Sequence, residues 1–276
     1  MNNKKPLAFA LHGFGICLIA GAGVLLAGCQ TYNEALGSGT SVTATDSARL
    51  TRSGFLSDYA RLKPVAALDG IECWRDTRLN PKQFDKVLVT RIVVSLVPPK
   101  SAKEGEQKTI DPNDLKTLTD YFHTALVKAL KPQMQVVDKA GPGVVVIRIA
   151  LTDLVPTTVT DSLAGTLIPY GFVAEAGSGV ATGRPAGSTP YLGETGMEMQ
   201  FRDGANGQVI AECRDTEIGR KYAADVNTSA VGAAQTWANG YMSSFQAWQY
   251  AKEAFDKWSL LVARRFAELR GVKPKQ

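Results

Sequence analysis

The segment Met197-Glu198-Met199-Gln200-Phe201-Arg202 alternates apolar with polar residues, and after Asp203-Gly204-Ala205-Asn206-Gly207 the run Gln208-Val209-Ile210-Ala211-Glu212-Cys213 returns. A side-chain period of two on both sides of a Gly/Asn/Asp cluster dictates a hairpin with one apolar face. Two helical patterns can cover such a face. Asp111-Pro112-Asn113-Asp114 combines an N-cap, a proline at the first helical position and acid in the first turn. Leu115, Leu118, Phe122, Leu126 and Leu130 then repeat at helical spacing until Lys131-Pro132. Near the end of the chain, Trp248, Phe255, Trp258, Val262, Phe266 and Leu269 share a stripe that starts near Ser243-Ser244 and stops at Gly271.

Further strands are expected around these elements. Lys86 to Val97 is rich in β-branched residues and closed by Pro98-Pro99, which predicts one buried strand. Gln135 to Asp138 and Val144 to Leu154, joined through Gly141-Pro142-Gly143, predict a second antiparallel hairpin. The order strand, helix, hairpin, hairpin, helix implies an α+β fold, a mostly antiparallel sheet with helices packed on one face.

The N-terminus carries a different signal. Lys4 and Lys5 precede an uncharged run from Pro6 to Gln30 that contains Leu26-Ala27-Gly28-Cys29. A basic start, an apolar centre and small residues before a cleavage point make a secretory signal peptide. Leu-Ala-Gly-Cys resembles the lipobox of bacterial lipoproteins, which implies cleavage after Gly28 and acyl chains on Cys29. The run is also long enough to cross a bilayer. Against a membrane span stand five glycines between Gly13 and Gly28 and the lack of a Lys/Arg cluster beyond it. Stable anchoring takes at least two acyl chains. Gln30 stands where, by analogy with enterobacterial sorting, Asp retains a lipoprotein at the inner membrane, so the expected location is the outer membrane, facing the periplasm. The expected organisation is a signal peptide over 1–28, a lipidated Ser/Thr/Gly-rich tether over 29–53, one domain over 54–271 and a short tail over 272–276.

Four cysteines are present. Cys17 leaves with the signal and Cys29 takes lipid, which leaves Cys73 and Cys213 in an oxidising compartment. A bridge between them is the natural pairing, and closing so long a loop would contribute roughly 4–5 kcal/mol on the chain-entropy model. Two separate buried thiols are the alternative. The net charge is +5, of which Lys4 and Lys5 supply two units; the rest is scattered and argues against a nucleic-acid partner.

Catalytic constellations are missing from the sequence. The lone histidine after the signal, His123, has Thr119, Asp120 and Val127 at helical spacing and no second metal ligand, so it reads as a boundary residue. No nucleophile elbow, paired zinc-binding histidines or phosphate loop occurs. Asp153 and Asp161 flank a Val/Thr-rich stretch without a defined pairing. A non-enzyme with no cofactor and no metal is expected. Two strings invite a binding role. The apolar, Gly-rich run from Leu163 to Gly183 reads as a loop, or as a lid that touches membrane or ligand. Phe55, Leu56, Tyr59 and Leu62 would share one face of a short helix ended by Pro64, pinning the N-terminus or docking a partner.

That string, the lipobox, Lys86-Val-Leu-Val-Thr-Arg-Ile-Val-Val, Asp120-Tyr121-Phe122-His123 and Ala150-Leu151-Thr152-Asp153-Leu154 resemble the bacterial lipoprotein family known as domain of unknown function 3313. The family implies no activity and no catalytic residue. The fold expected is similar to small periplasmic α+β domains such as the N-terminal domain of the Tol translocation protein, the curli secretion lipoprotein and lipoprotein activators of peptidoglycan synthases. By that likeness the protein is expected to bind another envelope protein or copies of itself. A lipid-binding or hydrophobic-ligand protein using segment 163–183 is the rival reading.

Overall fold

The computed structural model describes residues 41–43, 50–96, 110–157, 192–219 and 247–272. Among the described residues, nine strands form one mixed, mostly antiparallel sheet. Its centre is three long strands, Val144–Val155 (β7), Glu194–Asp203 (β8) and Val209–Gly219 (β9), running antiparallel. Short strands complete both flanks. Beside β9 lie Ser41–Thr43 (β1) and Glu72–Arg75 (β3), with Lys63–Pro64 (β2) outside β3. Beside β7 lie Lys86–Val89 (β4) and Val93–Val94 (β5), with Gln135–Val136 (β6) outside β4.

Helices Pro112–Leu130 (α1) and Gln249–Arg270 (α2) pack together on one sheet face. Asp111 caps α1 by accepting from the Asn113 amide at 2.7 Å. Gly271 takes the left-handed conformation (φ 69°) that ends α2. Phe122 of α1 stacks on Phe255 of α2 with ring centroids 4.6 Å apart, and Trp258 packs beside both. Ile147, Ile149 and Leu151 of β7 with Met197, Met199 and Phe201 of β8 supply the sheet side of this core.

Four expectations are corrected. Gln135–Val136 does not form a hairpin with β7; it pairs parallel to β4, and β4 itself lies parallel to β7. Because β4 lies between β6 and β7, the Gly141-Pro142-Gly143 link crosses at the start of β4, where the Gly143 carbonyl oxygen accepts from the Asp85 and Lys86 amides, instead of making a tight turn between partners. The single buried strand expected over 86–97 is two strands broken at Thr90–Ile92, and Val93 and Val94 are exposed because β6 reaches only β4. Within the expected tether, residues 41–43 pair with β9, and Leu50, Thr51 and Ser53 are packed or hydrogen-bonded to the sheet. Polar side chains here are anchors, not marks of a free chain. The short helix expected from Phe55 to Leu62 is reduced to a 3-10 turn at Tyr59–Arg61, and Pro64 belongs to β2.

Candidate functional site

Period two places Met197, Met199 and Phe201 on the helix side of β8. On β9 and β3 the same face carries Ala211, Cys213 and Cys73. Cys73 and Cys213 are opposite one another, Cα atoms 4.1 Å apart, and joined by a disulfide. This spacing is that of a non-hydrogen-bonded antiparallel pair, where side chains approach most closely. The segment around β3 then curls toward α2 and places Leu68, Ile71 and Leu79 opposite Leu261 and Phe266. An open apolar cleft of about 180 Å³ remains between these walls, with the disulfide in its lining.

Charges border the cleft. Arg75, Asp76 and Arg265 are part of its lining. The Asp76 carboxylate accepts two side-chain bonds from Arg78, at 3.0 and 2.8 Å. Arg265 pairs with Glu268 at 3.0 Å, and Arg264 approaches the same Glu268 at 3.6 Å.

The opposite sheet face is polar and covered by residues 50–62. Glu198 accepts from the Ser53 amide at 3.0 Å, the Ser53 hydroxyl at 2.6 Å and the Tyr59 hydroxyl at 2.8 Å. Glu212 accepts from the Ser57 amide, Arg61 and Gln200, each at 2.7 Å. The Arg61 guanidinium also stacks 3.5 Å from the centre of the Trp74 ring. Burial alone would raise the Glu212 pKa, but the bonds from Gln200, Ser57 and Arg61 hold it below the ordinary carboxylate value. Burial, then Glu198, raise the Tyr59 phenol. The string Phe55 to Leu62 thus pins the N-terminal segment to its own sheet.

The remaining sequence candidates lie elsewhere. His123 sits between α1 and β4, 3.4 Å from the Val89 carbonyl oxygen. Asp153 is on the polar face, bonded by the Thr51 hydroxyl at 2.6 Å, and burial pushes its pKa up to about 6. Neither lines the cleft. Cys29, Asp161 and segment 163–183 lie outside the described residues. Among the described residues no cluster of His, Cys, Asp and Glu is arranged to hold a metal, and no helix is long and apolar enough to cross a membrane. A further buried group was missed by sequence reasoning: Asp215 accepts from the Trp258 indole at 2.7 Å, and Lys257 pairs with Glu217 at 2.8 Å. Burial, then Glu217, push Asp215 well above the usual carboxylate range. The alternation of Asp215 and Glu217 with Arg214 and Thr216 gave no hint of which face was inside.

The family model described as a protein of unknown function, DUF3313, matches residues 51–241. The chain belongs to this family. No curated protein matches it. Among solved structures, it is similar to a PelC dodecamer from Paraburkholderia phytofirmans, with 12% identity, a TM-score of 0.29, and coverage of 63% of this chain and 98% of that one. A PDZ domain protein from Parabacteroides distasonis has 13% identity and a TM-score of 0.27, covering 66% of this chain and 34% of that one. A protein from Xanthomonas campestris of the DUF330 family has 11% identity and a TM-score of 0.24, covering 66% of this chain and 94% of that one. The disulfide fits an extracytoplasmic location.

Proposed function

We propose that the protein is a non-enzymatic binding module of the cell envelope, lipidated on Cys29 and held at the periplasmic face of the outer membrane, whose site is the apolar cleft between β3, β8 and α2. The cleft itself carries this reading. An engineered cavity of about 150 Å³ lined by Leu, Ile and Phe stays dry and takes up benzene, so an opening of about 180 Å³ has room for a short stretch of hydrocarbon or one large side chain. Apolar walls with a few polar groups at the edge are what a hydrophobic ligand needs for affinity and orientation. Lipidation is supported by the Leu26-Ala27-Gly28-Cys29 motif behind its uncharged run. Mass spectrometry of the protein purified gently from native membranes tests both parts. A diacylated Cys29 and a co-purifying apolar ligand are expected; an intact N-terminus or a persistently ligand-free protein would contradict the respective part.

Assembly with another envelope protein or with itself is a second reading, favoured by Val93, Val94 and Leu96, which are exposed on and just after the short strand β5. Val94→Glu is expected to weaken any such association in sedimentation experiments. A monomer at every concentration, with no crosslinked partner in the envelope, would remove this reading.

A further inference from the structure

We infer that the cleft takes an amphiphile with an anionic head, its hydrocarbon chain lying against Met199, Phe201 and Phe266 and its head held by Arg75. This deepens the hydrophobic-ligand reading and rests on it.

The register of β3 supplies the first support. Cys73 is opposite Cys213 and Arg75 is opposite Ala211, and all four residues line the cleft. Arg75 therefore leaves the strand on the cleft side, two residues beyond the disulfide. The distribution of counter-charge supplies the second. Asp76 is engaged by Arg78, and Glu268 by Arg264 and Arg265. For Arg75 the bond present is a long one, 3.4 Å to the Asp76 carbonyl oxygen; no carboxylate lies within ion-pair distance of it among the described residues, and the nearby Asp76 carboxylate, already held by Arg78, attracts it only at longer range. A half-buried guanidinium beside an apolar wall offers a planar fork of donors that matches a carboxylate or phosphate. A neutral ligand would cover that wall and leave the charge with only this longer-range partner, already engaged by Arg78.

An extended peptide is less well served by the same place. The strand at the open edge beside the cleft is β2, Lys63–Pro64, and Pro64 has no N–H to donate. Strand addition, the usual source of sequence-independent affinity for a peptide, has only the two residues Trp74 and Arg75 of β3 beyond the reach of β2 to extend. A chain amphiphile needs no ladder.

The test uses the full chain carrying Cys29→Ser, so that attached lipid does not compete, with a neutral environment-sensitive naphthalene dye as reporter. Dodecanoate, dodecyl phosphate and dodecanol, each below its micelle concentration, compete for the dye at neutral pH. Both anions are expected to bind about tenfold or more tightly than dodecanol, the scale of one charge-assisted bidentate contact. Arg75→Met is expected to erase that preference, and Arg75→Lys to restore part of it; thermal unfolding of both variants checks that the fold is kept. A stronger response to dodecanoate would point to a free fatty acid and a stronger response to dodecyl phosphate to a phospholipid, both within the inference. Equal binding of all three, or a preference that survives in Arg75→Met, would overturn the inference and leave the hydrophobic-ligand reading in place. No binding of dye or alkyl probes would overturn both. Displacement only by a peptide ending in an apolar residue would overturn it in favour of a protein partner.

Discussion

Cys73 and Cys213 face each other across β3 and β9 with their Cα atoms 4.1 Å apart, and the bond between them is part of the cleft lining. It ties a short flank strand to the long central strands. Replacing both cysteines with alanine is expected to destabilise the domain by about 2–4 kcal/mol, measured by denaturant unfolding. Loosening of β3 also shifts the cleft wall that Cys73 and its neighbours form, so dye binding should weaken in parallel. Unchanged stability and unchanged binding would show that β3 is held by its ladder alone.

The covered polar face gives a second expectation. Glu212 is fully buried and engaged by Ser57, Arg61 and Gln200. Glu212→Ala would leave those donors unpaired. Breaking a buried pair costs about 3–5 kcal/mol, and the part-exposed Arg61 reduces this toward about 2–3 kcal/mol. Hydrogen exchange of the Ser57 amide should speed up more than that of the β7 amides. Uniform acceleration would mean that residues 50–62 are not a separately held layer.

Asp153 predicts a pH dependence. Its folded pKa is pushed up to about 6, first by burial and then by Glu194 and Glu198, against the bond from Thr51. The folded state therefore holds the proton more tightly than the unfolded state, whose carboxyl titrates near about 3.9. The stabilisation this gives is complete below the unfolded value and lost as pH rises through about 6. Asp153→Asn should thus raise stability relative to the parent at neutral pH, by at most about 3 kcal/mol, with the gain shrinking toward pH ~4. A gain independent of pH would place the titration elsewhere.

Much of this architecture was legible because its signals are local. The β8–β9 hairpin follows from alternation around Asp203 to Gly207, and α1 and α2 follow from Asp111-Pro112, Gly271 and their apolar stripes. Pairing across distance was not. Nothing in Gln135-Val136 says that β4 will lie between it and β7, because a two-residue strand carries too little pattern to choose a neighbour. Glu198 and Glu212 read as a solvent face, since alternation separates two faces without telling whether other chain will cover the polar one. The cysteine pair was legible from compartment and elimination. The cleft was not, because it arises where β3 and its flanking turns meet α2, a contact between segments nearly the whole domain apart in sequence.

Filling the cleft tests the central claim most directly. Ala211 lines it opposite Arg75, and Ala211→Phe would place an aromatic ring in the open space at a strand position that tolerates one. Titration of the neutral dye into the full chain carrying Cys29→Ser, with and without Ala211→Phe, is the measurement. Saturable binding by the parent and at least about tenfold weaker binding by the filled variant, with its unfolding midpoint retained, is the expected result. Equal binding by both proteins, or none by the parent, would contradict the account.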